Sequence, residues 1–184
     1  DGLNRRVTKA ATGPPGHYYY SDQWQVVEER AGSPPAPVQQ YMWGLRYVDD
    51  LILRDRDTGG GTLSERFYSL QDANWNVVAL SNTSGVAQER YVYTPYGVVK
   101  FLTGSYGSRS SSSYGWVYRF TGRESDNPIG FQLNRNRIYH PNLGCWLTKD
   151  PIGYDGGDVN LYRYVLSNPL NRTDPSGLDW LDCM

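Results

Sequence analysis

Two aspartates near the end of the chain open the same four-residue pattern, Asp150-Pro151-Ile152-Gly153 and Asp174-Pro175-Ser176-Gly177. Paired carboxylates do acid–base chemistry when a shared site holds them close. Like charges raise one pKa, so one group keeps a proton while the other activates water. That is the chemistry of an aspartyl protease. The same pattern also makes an ordinary turn, in which Asp bonds its own downstream backbone, Pro presets φ and Gly accepts a positive φ. The two residues occupy matching turns, and the residues alone leave both readings open.

Other candidate groups carry less. Asp55, Asp57 and Glu65 surround Gly59-Gly60-Gly61 as in a calcium loop. Position five is Gly, however, and the acid falls one residue before the bidentate position. The segment reads as an acidic hairpin loop. His17 and His140 lack a second ligand at metal spacing, so neither a metal nor another cofactor is called for. Cys145 and Cys183 either form a disulfide or stand as two thiols, since spacing supplies no geometry. Asn82 and Asn171 head glycosylation sequons in turns, with Asn171 read as buried beside its motif. Arg119, Arg123, Arg135, Arg137 and Arg163 interleave with Tyr and Trp. At a formal net charge of −1, stacking on aromatic neighbours within the chain explains them better than nucleic acid does.

The elements that must position these residues follow from composition and punctuation. Among 184 residues there are 16 Tyr and 6 Trp but only 4 Phe, with 20 Gly and 11 Pro. Rings with one polar atom suit a sheet with partly wet faces, and so many turn residues exclude long helices. No apolar run approaches the ~18 residues of a membrane span. The N-terminal residues lack a signal-peptide apolar region and read as the interior of a longer precursor.

Short aromatic and β-branched runs alternate with turns at Ser21-Asp22-Gln23, Asp72-Ala73-Asn74, Asn82-Thr83-Ser84-Gly85 and Thr94-Pro95-Tyr96-Gly97. This predicts serial hairpins, hence an antiparallel meander with repeat character. Ala31 to Pro37 is excluded from the inside of a central strand because proline lacks the ladder donor. Gly104 to Gly115 reads as a surface loop. Val159, Tyr162 and Leu166 share a helical face, and Asn168-Pro169 stops it, so one short helix is expected near the C-terminus.

Tyr91-Val-Tyr-Thr-Pro-Tyr-Gly97 resembles the YD-repeat signature, with Thr94 where aspartate is usual. A stronger match runs through Tyr118-Arg-Phe-Thr-Gly-Arg-Glu124, Asn134-Arg-Asn-Arg-Ile-Tyr-His-Pro-Asn-Leu-Gly144 and Trp146-Leu-Thr-Lys-Asp-Pro-Ile-Gly153. It continues through Asn160-Leu-Tyr-Arg-Tyr-Val165, Ser167-Asn-Pro-Leu-Asn171 and Asp174-Pro-Ser-Gly-Leu178. In this order the blocks resemble the C-terminal Rhs repeat-associated core of Rhs/YD-repeat proteins.

The resemblance implies an all-β fold: a twisted antiparallel sheet of YD-type hairpins spiralling into a cocoon-like shell that the core closes. It divides the chain into hairpins (1–103), a Gly/Ser-rich loop (104–115), the core (116–178) and a tail (179–184). In the toxin branch the shell encloses a toxin, and the core resembles an aspartyl autoprotease. Asp150 and Asp174 match the paired aspartates, Arg137 matches a nearby arginine, and the scissile bond falls at Leu178–Asp179. His140, Cys145 and Lys149 depart from the usual aspartate, arginine and proline, and the chain continues past Leu178. The leading expectation is therefore a secreted or cell-surface structural unit whose partners are copies of itself or adjoining YD repeats, joined through open sheet edges into an assembly or filament. The alternatives are the autoprotease and a surface- or carbohydrate-binding module built on exposed rings.

Overall fold

A computed structural model describes residues 1–3, 5–9, 16–126 and 130–182, the last two by backbone alone. Ten strands pair antiparallel in chain order: β1 (Thr8–Lys9), β2 (Gly16–Tyr20), β3 (Val26–Ala31), β4 (Ala36–Trp43), β5 (Leu51–Asp57), β6 (Leu63–Gln71), β7 (Val77–Ser81), β8 (Ala87–Tyr93), β9 (Val99–Thr103) and β10 (Ser108–Arg109). A second sheet of four strands holds β11 (Glu124–Asp126), β12 (Phe131–Asn134), β13 (Arg137–His140) and β14 (Cys145–Trp146). A final pair joins β15 (Arg172–Thr173) to β16 (Leu181–Asp182). The fold is all-β, as the punctuation predicts.

Five of the turns share one construction. Ser21, Asp72, Asn82, Thr94 and Thr103 each donate their N–H to the carbonyl four residues on and accept the N–H from three residues on. The side-chain oxygen of that first residue then accepts the N–H of the fifth. The fourth residue is left-handed every time: Trp24 (φ 61°), Trp75 (62°), Gly85 (75°), Gly97 (89°) and Tyr106 (70°). The turn is a hairpin connection whose αL residue matches the twist of the flanking strands. At Thr94 the hydroxyl Oγ1 fills the place that the Asp72 carboxylate takes in its turn, accepting from the Val98 N–H at 3.1 Å.

The first compact unit comprises residues 1–69 and 81–86. Val26, Tyr41, Leu51, Leu53 and Phe67 are its buried apolar residues. A row across the sheet places Arg54 directly between Tyr41 and Phe67, and the guanidinium reaches Glu65 at 3.3 Å. Beside that row Asp55 faces Arg66, which grips it with two bonds of 2.7 Å. Opposite charges in register, bonded in a fork, fix strand alignment as well as adding energy. Pro37, excluded from a central strand on sequence grounds, is the second residue of β4. It is accommodated because the β3–β4 register slips between Glu29 and Arg30, the kind of bulge where a missing donor does no harm.

The second unit comprises residues 70–80 and 87–184. Its core is a set of rings: Phe120, Tyr139, Trp146 and Tyr164 with Val165, flanked by Tyr93, Tyr96 and Trp180. Tyr139 packs at a tilt of 35° against Tyr164, 4.2 Å between centroids, and meets Trp146 edge-on at 5.7 Å. Two of the polar tips bond to backbone, Tyr139 donating to the Tyr96 carbonyl and Tyr93 to that of Val77. The stretch read as a loop contributes β10, tied down because buried Glu89 accepts from Arg109 and from the Ser113 N–H.

The short helix expected over 159–166 does not form; 3-10 turns lie before it at Gly153–Gly156 and across its end at Val165–Ser167. Val159 is 87% exposed and Tyr162 42% exposed, so the apolar face inferred for them does not form. Asp158 and Asn160 bond the backbone two residues on instead of continuing a helical ladder. Val165, Leu166 and Ser167 all take positive φ (41°, 53° and 58°), a left-handed turn that sends Val165 into the ring core. Asn171, read as buried, is exposed, and its Nδ2 donates to Asn168 Oδ1 at 2.8 Å.

Candidate functional site

Arg137 opens β13, directly opposite Asn134 on β12 across a two-residue link at Arg135-Asn136. That hairpin tip grips the second Asp-Pro-x-Gly turn residue by residue. Asn134 Nδ2 donates to the Asp174 carbonyl at 2.9 Å, and Arg135 Nη1 donates to that of Pro175. Asn136 donates both N–H and Nδ2 to Ser176 at 3.1 Å, and Arg137 Nε donates to Gly177. Four consecutive residues thus bond four consecutive carbonyls. Gly177 is required in this grip: φ is +71°, and a Cβ there would lie 2.3 Å from the Asn134 carbonyl oxygen.

The free face of the Arg137 guanidinium lies over the Trp146 ring at 4.1 Å. Its two terminal nitrogens go to different aspartates: Nη1 to Asp150 Oδ2 at 2.9 Å and Nη2 to Asp174 Oδ2 at 3.1 Å. The side chains are 4%, 11% and 3% exposed for Arg137, Asp150 and Asp174. All three residues predicted for the site therefore meet.

The two turns match in sequence but not in bonding. Asp150 Oδ1 accepts from Ile152 at 3.0 Å, and its carbonyl takes the Gly153 N–H. Asp174 Oδ1 instead accepts from the N–H groups of Gly177 (2.7 Å) and Leu178 (3.2 Å) and from Ser176 Oγ (3.0 Å). Each aspartate thus turns one oxygen to its own turn and the other to the shared guanidinium. Asp150 is fixed further by donating its N–H to the Leu161 carbonyl at 3.0 Å.

Burial pushes the Asp174 carboxyl above the ordinary 3.8, outweighing the opposing pull of Arg137 and of its three donors. A cavity of about 20 Å³ is bordered by Arg137, Trp146, Asp150, Asp174, Leu178 and Asp179. That is room for about one water. Chemically the arrangement offers a carboxyl disposed to hold a proton and a second carboxylate across one cation, with a peptide segment at their side.

Asn134, Arg135 and Asn136 are site residues that sequence reasoning passed over. Their signal was the alternation of Asn and Arg through a hairpin tip, where four long donors point at one neighbour. The interleaved arginines divide by role. Arg119 lies over Phe101 at 5.3 Å and Arg137 over Trp146, as stacking predicts. Arg123 instead donates to the Leu133 carbonyl, Arg135 to Pro175, and Arg163 forks onto Asp158 at 2.7 Å.

Around Gly59–Gly61 the acids are engaged within the hairpin. Asp57 accepts from the N–H groups of Gly59, Gly60 and Gly61, which hold its carboxyl below the ordinary range. Asp55 faces Arg66, and Glu65 takes Arg54 and Arg56. Among the described residues no cluster of three His, Cys, Asp or Glu side chains is placed for a metal. His140 packs on Phe131 at 5.1 Å. Cys145 is half-buried in β14, and Cys183 lies outside the described residues, as does any pairing between them.

Comparison with known proteins agrees with this architecture. No family model matches the chain. RhsB of Dickeya dadantii, described as a probable deoxyribonuclease, is 32% identical over 185 residues, which are 97% of this chain and 12% of that protein. The toxin subunit YenC2 of Yersinia entomophaga is 43% identical over 95 residues, 49% of this chain and 9% of that protein. A solved structure of the Photorhabdus luminescens Tc holotoxin pore has the same fold, with a TM-score of 0.60 at 19% identity over 95% of this chain and 9% of that one. The chain thus spans about a tenth of the length of these relatives. Its order of hairpins, its paired Asp-Pro-x-Gly turns and its likeness along nearly its whole length to a full-length Rhs protein lead to one assignment: the chain belongs to the Rhs proteins.

Proposed function

We propose that this chain is a structural segment of a secreted Rhs-type toxin shell, and that its core, residues 116–178, carries an aspartyl site that cuts the Leu178–Asp179 bond. One observation carries the reading: a single buried guanidinium bridges Asp150 and Asp174 beside the segment to be cut. The shell role is supported by relatives that differ in description, a toxin subunit and a probable deoxyribonuclease, while matching this chain over about a tenth of their length. A segment common to proteins so described suits a container better than a cargo.

In the proposed reaction Asp150, ionised, takes a proton from water as its oxygen attacks the Leu178 carbonyl carbon. Asp174, its proton held by burial, supplies the proton that the departing Asp179 nitrogen needs. Arg137 holds one carboxyl at each of its terminal nitrogens and, with the Asn134–Asn136 grip, immobilises the peptide. Holding reactants in place is itself worth several kcal/mol of barrier.

The test is intact-mass analysis of the chain made by cell-free translation and sampled over time. Wild type should lose residues 179–184, while Asp150→Asn and Asp174→Asn should retain them. A wild-type chain that keeps its full mass would leave Asp150, Arg137 and Asp174 as a structural ion triad.

For the shell itself, adjoining repeats of the parent fit the sheet edges better than filament growth. The outermost strands of the described sheet pair over two residues each, edges too short to hold a separate copy without a covalent connection. Light scattering should give a monomer, and a growing scattering signal would favour self-association. The exposed rings Tyr19, Tyr106, Tyr154 and Tyr162 lie on separate elements, which gives a carbohydrate face little support.

A further inference from the structure

Ser176 occupies the variable place in the Asp-Pro-x-Gly turn, and its hydroxyl is fully engaged. Oγ lies 3.0 Å from Asp174 Oδ1, 3.0 Å from the Leu178 nitrogen and 3.3 Å from the Asp179 nitrogen. A hydroxyl has one donor and two acceptor positions, so these three contacts exhaust it. The third contact matters most, because the Asp179 nitrogen is the leaving group of the proposed cut. Here one oxygen joins the carboxyl Asp174 to the atom that must be protonated.

We propose that Ser176 is a catalytic proton relay between Asp174 and the Asp179 nitrogen. This rests on the self-cleavage reading and adds the path of its second proton. While Asp174 is ionised, Ser176 donates to Oδ1; once Asp174 carries a proton, the same bond runs the other way. The cycle starts with Asp174 protonated and Asp150 ionised. Water gives one proton to Asp150, and the resulting hydroxide forms a bond to the Leu178 carbonyl carbon. When that tetrahedral centre collapses, the C–N bond breaks. The electron pair stays on nitrogen and takes the Ser176 Oγ proton, while Oγ regains a proton from Asp174 Oδ1–H. The products are the Leu178 carboxylic acid and the Asp179 amine, with the shared proton moved from Asp174 to Asp150. Atoms and charges balance without any further reactant.

The relay also fits the direct geometry. Asp174 Oδ2 is committed to Arg137 and Oδ1 to three donors, and it is Ser176 Oγ that lies 3.3 Å from the leaving nitrogen.

The experiment times the loss of residues 179–184 from the whole chain by intact mass, for wild type, Ser176→Ala, Ser176→Thr and Asp174→Asn, in water and in mixtures with D2O. General acid–base groups contribute about 10²–10⁴-fold. Ser176→Ala should slow the cut by at least about 10²-fold, and Ser176→Thr, which keeps the hydroxyl, should restore most of the rate. The wild-type rate should bend downward with the D2O fraction, as expected when two protons move together, and the bend should flatten in Ser176→Ala. A Ser176→Ala rate equal to wild type, with Asp174→Asn inactive, overturns the relay and leaves self-cleavage standing. Equal slowing in the Ala and Thr variants together with lowered melting temperatures reduces Ser176 to a turn former and also overturns it. A wild-type chain that is never cut removes both readings.

Discussion

Replacing Arg137 with Met would keep an unbranched side chain over Trp146 and remove the charge between Asp150 and Asp174. The variant loses ion pairs of 2.9 and 3.1 Å and the bond to the Gly177 carbonyl, all in nearly water-free surroundings. Breaking a buried pair by deleting one member costs about 3–5 kcal/mol, because the remaining charge is left without compensation. For a chain of this size each kcal/mol moves the melting temperature by about 2–4 °C, so the midpoint should fall by roughly 6–20 °C at neutral pH.

The deficit should also depend on pH, with a definite sign. Burial already holds the Asp174 carboxyl above 3.8, so the folded chain keeps that proton to higher pH than the unfolded chain. The stability linked to this proton is full below the unfolded value and is lost as pH rises through the folded value. Without Arg137 the carboxyl rises further, and the penalty grows from acid to neutral pH. Urea unfolding followed by tryptophan fluorescence at about pH 4.5 and pH 7 measures both quantities. A deficit below about 1 kcal/mol at neutral pH, or one equal at the two pH values, would refute the claim that Arg137 neutralises buried carboxylates.

Other outcomes follow from single contacts. Gly97→Ala should destabilise by about 2–4 kcal/mol, read by thermal melting, since φ is +89° and the new Cβ would lie 2.5 Å from the buried Phe120 ring. Thr94→Ala should cost about 1 kcal/mol in urea, whereas Thr94→Asp should be neutral or slightly stabilising because a carboxylate accepts the Val98 N–H more strongly. Glu89→Ala should free the 108–115 segment, which would then be nicked faster by a broad-specificity protease; unchanged cleavage there would show that Arg109 and Ser113 are held by something else. The proposed self-cleavage should be fastest where Asp174 is still protonated and should decline as pH rises through its elevated value, which a pH–rate profile on the full chain checks.

The hairpin order was legible because each turn is local. Ser21, Asp72, Asn82 and Thr94 announce a turn by their own type, and the runs between them have the strand period. Asp150 and Asp174 were legible for the same reason, each opening a turn that four residues specify. What sequence could not show was bonding over long separations. The grip of Asn134, Arg135 and Asn136 on residues about forty positions later depends on how two hairpins dock. The failed helix near Val159 is the converse case. Its apolar spacing was genuine, but Asp158 and Asn160 offered their backbone closer bonds, and the Val165 core position demanded a left-handed turn. Pro37 shows a third limit, since a register slip between β3 and β4 made room for a residue that the strand rule excludes.

The recurrent side-chain-closed turn has a consequence for the order of events in time. Because every strand of the large sheet bonds to its sequence neighbours, each hairpin can close as soon as its own few residues are available, without waiting for a distant strand. Such a sheet can lengthen from its first strand toward its last at the pace at which chain emerges from a ribosome or an export channel. The Arg137 triad instead draws on residues 13 and 37 positions downstream, so it forms only after Asp174 has arrived and its turn has docked. Synthesis order therefore acts as a clock: the hairpins of the large sheet can close first, and the carboxyl pair becomes complete only after Asp174 has been made.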